Sequence, residues 1–250
     1  MKYKLNVRYI HELGKRSCQE DYIYPKAGVA RPDDSLFIVC DGMGGTEGGE
    51  VASRIVAETL GSILHSCAQF DVSVFNRALA CACDELDLYV SGPLRSMGTT
   101  LAFVKFYDAG CFVAHVGDSR VYHIRPSMPA QQRVLFVTRD HSLVNELVDL
   151  GQITPEQARS HPRRNVITRA LMPLQKARAE ADVNMISDVR SGDYFYLCSD
   201  GMLEISSDME IANVISMQDK TDDEKVAILR EVTRDNKDNH SAILIHVLEA

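Results

Sequence analysis

Four aspartates stand where an apolar stretch begins or ends. Asp41 closes FIVC, Asp118 follows AHVG, Asp200 follows YFYLCS, and Asp238 comes just ahead of AILIHV. One aspartate in such a place is ordinarily a turn or capping residue, because its carboxylate satisfies nearby backbone N–H groups. Four of them, each beside small residues at a strand end, can converge on one point if the strands share a core. Carboxylates gathered that closely repel one another unless cations neutralise them. An all-oxygen donor set selects hard ions such as Mg²⁺, Mn²⁺ or Ca²⁺ over zinc.

The run DGMGGTEGGE, Asp41–Glu50, lies between a strand and a helix, as phosphate-binding loops do. It fits neither G-x-G-x-x-G nor G-x-x-x-x-G-K-[ST], since Glu47 and Glu50 fall where Gly or Lys is needed. Its acids also repel a phosphate. The motif thus fails for a dinucleotide-binding enzyme, the rival that the strand–glycine–helix layout suggests, and absence of nucleotide binding would remove it. The glycines instead permit a tight turn that brings backbone, including a carbonyl, close to a metal.

The elements that must position these residues are legible in outline. Val7–Ile10 and Leu36–Cys40 read as strands, and the second is a continuous apolar run of the kind buried on both faces. Val51, Ile55, Val56, Leu60, Ile63, Leu64 and Cys67 recur at helical spacing, and Phe75, Leu79, Ala82, Leu86 and Tyr89 mark a second helix. Strands come next at Thr99–Tyr107, Cys111–Val116, Val121–Ile124 and Val134–Val137, with a tight turn at Asp108–Gly110. Ser142–Arg164 is polar and loop-rich, with a short helix over Leu143–Leu150. Tyr194–Cys198 is a strand, Met209–Met217 and Asp223–Thr233 are helices, and Ala242–Leu248 is a closing strand. Strands in runs and helices in pairs imply an α+β layered sandwich, not an alternating parallel sheet.

No linker, repeat or low-complexity tract divides the 250 residues, so residues 1–250 read as one domain. The net charge of −8 argues against nucleic acid as the main partner, because such binding needs basic surface. The N-terminal stretch lacks an apolar core of signal-peptide length, and no run approaches the ~20 apolar residues of a membrane span. The expectation is a soluble, cytoplasmic monomer without membrane partners. The seven cysteines are odd in number and read as reduced, buried side chains. Cys81 and Cys83 form C-x-C on a helix, which turns them to different faces and disfavours a zinc site.

Eight short strings, in order along nearly the whole chain, make a resemblance specific. RSCQED (Arg16–Asp21) resembles R-x-x-N-E-D, and VCDGMGG (Val39–Gly45) matches V-x-D-G-M-G-G. MGTT (Met97–Thr100), VGDSRVY (Val116–Tyr122), TRDHS (Thr138–Ser142), NVITRAL (Asn165–Leu171), CSDGM (Cys198–Met202) and DNHS (Asp238–Ser241) complete the set. The sequence resembles the metal-dependent serine/threonine protein phosphatases of type 2C, the PPM family, in their bacterial form.

The resemblance implies a four-layer α-β-β-α sandwich, two antiparallel sheets flanked by helix pairs, with a flap at about residues 142–165. It implies hydrolysis of phosphoserine and phosphothreonine in proteins by a water bridging two Mn²⁺ or Mg²⁺ ions, opposing a cognate serine/threonine kinase. Asp41 would bridge the ions, with the Gly42 carbonyl on one of them and Asp200 and Asp238 completing the other. Glu20 and Asp21 would hold waters on the metals, Arg16 would bind the substrate phosphate, and Asp118 would help hold a third, weaker ion. No phosphoenzyme is needed, so no Ser or Cys nucleophile is assigned, and Cys18 and Cys40 read as buried filler.

The chain departs from the pattern in places. Gln19 stands for Asn, Met43 and Thr46 occupy positions where relatives carry His, and Met172 replaces the Gly after NVITRAL. Met43 cannot donate a proton. Asp235–Asn236 duplicates the Asp-Asn pair at Asp238, and Asp238 is preferred because a hydroxyl residue and then the strand come after it. His141 reads as a hydrogen-bonded structural histidine. Arg159, Arg163 and Arg164 form a basic patch by the flap, open to reading as solvated surface or as a phosphoprotein dock.

Overall fold

The computed structural model describes residues 3–29, 34–44, 48–67, 69–90 and 96–250. The chain runs β1 (Lys4–Glu12), β2 (Asp21–Tyr24), β3 (Leu36–Met43), α1 (Gly48–Leu64), α2 (Val72–Leu88), β4 (Gly98–Thr99), β5 (Leu101–Tyr107) and β6 (Gly110–Val116). It continues through β7 (Arg120–Ile124), β8 (Val134–Val137), α3 (Leu143–Asp149), α4 (Pro155–Arg159), β9 (Asp182–Ile186) and β10 (Tyr194–Cys198). A 3-10 turn at Asp200–Leu203, α5 (Asp208–Ile215), α6 (Asp222–Thr233) and β11 (His240–Glu249) complete it.

The strands form two antiparallel sheets, ordered β1-β11-β10-β7-β8 and β2-β3-β5-β6-β9, with β4 paired to β3. Side chains alternate across a strand. In β3, Leu36, Ile38 and Cys40 therefore face α1 and α2, while Phe37 and Val39 face the other sheet. In β10, Phe195 and Leu197 point between the sheets, and Tyr194, Tyr196 and Cys198 pack under α5 and α6. Both faces of these strands are covered, which is why they read as unbroken apolar runs. The result is four layers, α-β-β-α.

The structure changes several sequence-based assignments. The stretch expected as Thr99–Tyr107 is divided at Thr100, and the first strand extends over Lys4–Glu12. β2, β9 and α4 had no strong signal, since all three are only four or five residues long. The start of α4 is nonetheless encoded locally: Thr154 caps Gln157 and Gln157 caps back, with Pro155 in the first turn. Four cysteines are buried, but Cys18 and Cys67 are half-buried and Cys81 is exposed, so Cys18 is not core filler. Thr46 and the centre of the glycine run, Gly45–Glu47, lie outside the described residues.

The segment 142–165, expected as a flap, is attached close to the strand ends. Leu143 N–H donates to the Val166 carbonyl (2.9 Å), and Ser142 and Ile167 form an isolated bridge. Farther on, Thr99 and Leu171 exchange both backbone hydrogen bonds at 2.9 Å each. No helix among the described residues is long and apolar enough to cross a membrane.

The core against α2 depends on an aromatic triad. Phe75 is fully buried, with ring centroids 5.0 Å from Phe103 and 5.1 Å from Phe112. Phe75→Ala is expected to cost about 3–5 kcal/mol of stability, on the order of 10 °C in Tm. Thermal denaturation of the two proteins checks this.

Candidate metal centre

The two sheets bring their acidic ends to a common edge. Asp21 and Asp41 are directly opposite each other in the β2–β3 register. Asp200 opens the 3-10 turn after β10, Asp118 comes just after β6, and Asp238 lies two residues before β11. A cavity of about 350 Å³ is lined by Arg16, Glu20, Asp41, Gly42, Asp118, Asp200 and Asp238, along with Met43, Thr100, Asn165 and Asn239. Asp21 is buried behind it, 3% exposed. Asp235 stays outside, exposed and 3.5 Å from Lys15 Nζ.

The carboxylates are held by hydroxyl and backbone groups. Asp41 N–H donates to Thr100 Oγ1 (3.0 Å), and its carbonyl accepts from Thr100 N–H (2.9 Å) and Thr99 Oγ1 (3.0 Å). Ser199 Oγ donates to Asp21 Oδ2 (2.8 Å) and accepts from Ser241 N–H (3.0 Å), so the sheet of β10 and β11 grips an acid from the sheet of β2 and β3. Asn239 Oδ1 accepts the Glu20 N–H (2.8 Å), while its amide donates to the Leu13 and Cys18 carbonyls. Gln19, in place of Asn, uses its longer side chain to span the Glu12 carbonyl and the Asp21 N–H. Thr99, Thr100, Ser199, Ser241 and Asn239 were not singled out from sequence. Their signal was present, since each lies in or beside a motif that carries an aspartate.

Close backbone approach sets the remaining distances. A Cβ on Gly42 would stand 2.1 Å from the Gly49 carbonyl oxygen and 2.6 Å from that of Glu20, so only glycine lets β3 meet the start of α1 there. Gly14 has φ +62, and a Cβ on it would fall 2.1 Å from the Asp238 carbonyl oxygen. This turn lays the Arg16 loop on Asp238, and Arg16 Nη2 donates to Asp238 Oδ2 at 2.6 Å.

The electrostatics register the crowding. Burial, followed by Asp21, Asp200 and Asp118, holds the Asp41 carboxyl well above its usual range. Burial pushes Asp118 up to about 7, with Asp200 and Asp140 adding to it. Asp21 also rises to about 7 through burial, although Ser241 and Ser199 oppose the rise. Burial raises Asp200 and Glu20 as well. Glu20 Oε1 and Asp21 Oδ1 are buried without a hydrogen-bond partner. Unpartnered oxygens and carboxylates short of positive charge fit hard divalent cations.

His141 lies at the rim as a brace. Its N–H donates to the Gly117 carbonyl (2.9 Å), its Nδ1 accepts the Gly117 N–H (3.0 Å), and its carbonyl accepts from Thr168 (2.8 Å). His115, His141 and Asp182 offer donor atoms near one another. An accepting Nδ1 leaves the His141 proton on Nε2, facing Asp182 at 3.2 Å, so that nitrogen has no lone pair for a metal. Met172 sits beside Gly98, along with the Leu171 carbonyl and Met43 of the cavity wall.

A carboxylate-lined cavity at the edge of a four-layer α-β-β-α sandwich, with an arginine beside it, fits a metal-assisted hydrolase of an anionic substrate. Comparison with known proteins narrows this. The protein phosphatase 2C family model matches residues 11–240. Protein phosphatase PhpP of Streptococcus pneumoniae is 34% identical over 229 residues, covering 87% of this chain and 89% of that protein. The crystal structure of the Mycobacterium tuberculosis serine/threonine phosphatase PstP/Ppp superposes with a TM-score of 0.82 at 30% identity, over 98% of this chain and 99% of that one. A PstP catalytic-domain structure in complex with two manganese ions gives 0.79 at 28% identity, over 98% and 99% of the two chains. The chain belongs to the protein phosphatase 2C family, and it is a protein phosphatase.

The raised carboxyls give the metal-free protein an unusual pH dependence. An acid whose folded pKa is raised stabilises the fold below its ordinary value of 3.8 and loses that contribution as pH rises through about 7. Metal-free Asp21→Asn is therefore expected to be more stable than metal-free wild type at pH 7.5, with the advantage gone by about pH 4. Parallel melts of chelated protein across this range check it.

Proposed function

We propose that this phosphatase hydrolyses phosphoserine and phosphothreonine in proteins with two divalent cations held by Asp41, Gly42, Asp200 and Asp238. The observation that carries the reading is the convergence of these residues in one cavity with Arg16 at its mouth. Asp41 is assigned to both ions and the Gly42 carbonyl to one of them. Asp200 and Asp238 complete the other. Asp118, on the same wall, is assigned to a third, weaker ion. Held by these residues, two divalent cations would supply activation of water for in-line attack and neutralisation of phosphoryl charge. Mn²⁺ is the ion in the related PstP complex, and Mg²⁺ has the same preference for oxygen.

The chain's own groups do the rest. Glu20 and Asp21, with their unpartnered oxygens, orient water at the floor of the cavity. The Arg16 guanidinium presents a planar fork that grips two phosphoryl oxygens. In the structure it rests on Asp238, so substrate phosphate takes over a contact the carboxylate now makes. Met43 lines the cavity and cannot donate a proton, so leaving-group protonation falls to water. Phosphoproteins are the substrates, and a serine/threonine kinase is the opposing activity. The free thiols of all seven cysteines support a cytoplasmic place of action.

Release of phosphate from a phosphothreonine peptide, with Mn²⁺ and with chelator, tests the reading. Wild type is expected to need the metal. Asp238→Asn is expected to be nearly inactive and Asp235→Asn nearly normal. Substantial turnover in Asp238→Asn would remove Asp238 from the centre. Arg16→Ala is expected to lose roughly ten- to hundredfold in kcat/KM, as a charge-assisted contact of ~1.5–3 kcal/mol implies. Arg16→Lys should fall between that variant and wild type, and Mn²⁺ titration should find metal affinity undiminished in both. A main defect in metal binding would contradict the phosphate role.

A further inference from the structure

We infer that the cavity beside the metal centre is a docking groove for the substrate's own polypeptide, selecting acidic side chains near the phosphorylated residue. The inference rests on the phosphatase reading above. The groove has a volume of about 780 Å³ and lies beneath α3 and α4. It shares Asp118, Asn165, Asp200 and Asp238 with the catalytic cavity, so the two are one continuous depression. A volume of about 300–1,000 Å³ is the range that encloses a ligand the size of a short peptide segment. The wall is apolar at Val144, Val148, Ala158 and Leu203, which offers burial to the body of a peptide.

Charge decides what that peptide carries. Among the described residues, Arg159, Arg164 and Lys237 line the groove with exposed side chains that form no ion pair or side-chain hydrogen bond. The other cations of the groove are engaged: Arg120 holds both oxygens of Asp140 at 2.7 Å, and Arg139 meets Asp149 at 2.6 Å. The acids outside the metal centre are engaged as well, with Asp140 on Arg120 and Glu204 accepting the Lys237 N–H at 2.8 Å. Arg159, Arg164 and Lys237 gather at this depression although the chain's net charge is −8. Lys237 adjoins Asp238 and Arg164 adjoins Asn165, so both stand one residue from the catalytic wall. At roughly 3.3 Å of extended chain per residue, a substrate side chain a few places from the phosphate reaches them.

The test uses three phosphothreonine peptides that differ only in having Asp, Ala or Lys on both flanks. Wild type is expected to favour the Asp over the Lys peptide about tenfold in kcat/KM, the sum of several exposed charge contacts, and less as salt rises. Arg159→Ala, Arg164→Ala and Lys237→Ala should each lower that ratio, and Arg164→Glu should lower it most. Because the ratio compares two peptides on one enzyme, losses of folding or metal loading cancel. A wild-type ratio near one overturns the inference, and so do variants that slow both peptides equally. Absence of Mn²⁺-dependent hydrolysis of the Ala peptide would instead remove the phosphatase reading, and the groove's role with it.

Discussion

Mutual repulsion among carboxylates is the constraint on which this structure turns. Asp21 and Asp41 face each other across adjacent strands, and like charges so placed destabilise a sheet. Asp200 and Asp238 arrive from the second sheet and add to the same field. The fold tolerates this because neutral hydroxyl, amide and backbone groups hold each acidic segment in place. Threonine hydroxyls secure Asp41, serine hydroxyls secure Asp21, and Asn239 ties the Glu20 segment to the loop before it. Behind them lies an apolar layer, including Phe37, Val39, Phe195, Leu197 and Ile243, that pins the two sheets together.

The opposite end of the sandwich treats the same residue type in the opposite way. Asp193 is fully buried, yet Arg125 and His123 hydrogen-bond both its oxygens and draw its pKa below the ordinary range against the pull of burial. Asp222 is bound by His246, Tyr194 and Asn6 and is likewise lowered. Full pairing makes these acids structural. At the acidic edge, Arg16 hydrogen-bonds Asp238 alone, and Arg120, which also acts on Asp118, is tied to Asp140 and Asp208, so the deficit persists until charge is supplied from outside. Pairing, more than burial, separates the aspartates short of positive charge from those supplied with it in this chain.

The sequence carried the layer plan well, because strands covered on both faces leave unbroken apolar runs and the helices leave 3.6-residue periodicity. It carried less of what is short. DYIY and DVNMI become strands only through their neighbours β3 and β6, a tertiary effect no local window contains. The aspartates were legible by their place at strand ends, and Asp238 could be preferred to Asp235 by the serine and the strand just beyond it. The Ser199–Asp21 contact was not legible, since it joins residues 178 apart in sequence. Nor was the grip of Arg16 on Asp238, which depends on the turn at Gly14.

The feet of the flap have a wider consequence. Ser142 bridges Ile167, and the chain beyond Ile167 is fastened to Thr99, the residue whose hydroxyl meets the Asp41 carbonyl. Everything between the feet hangs from a closed loop, and changing the length of such a loop costs little because closure entropy varies only with the logarithm of its size. Lineages can therefore lengthen, shorten or exchange this segment while the carboxylates stay where they are. The arrangement makes the segment a replaceable attachment on a scaffold that the paired sheets carry.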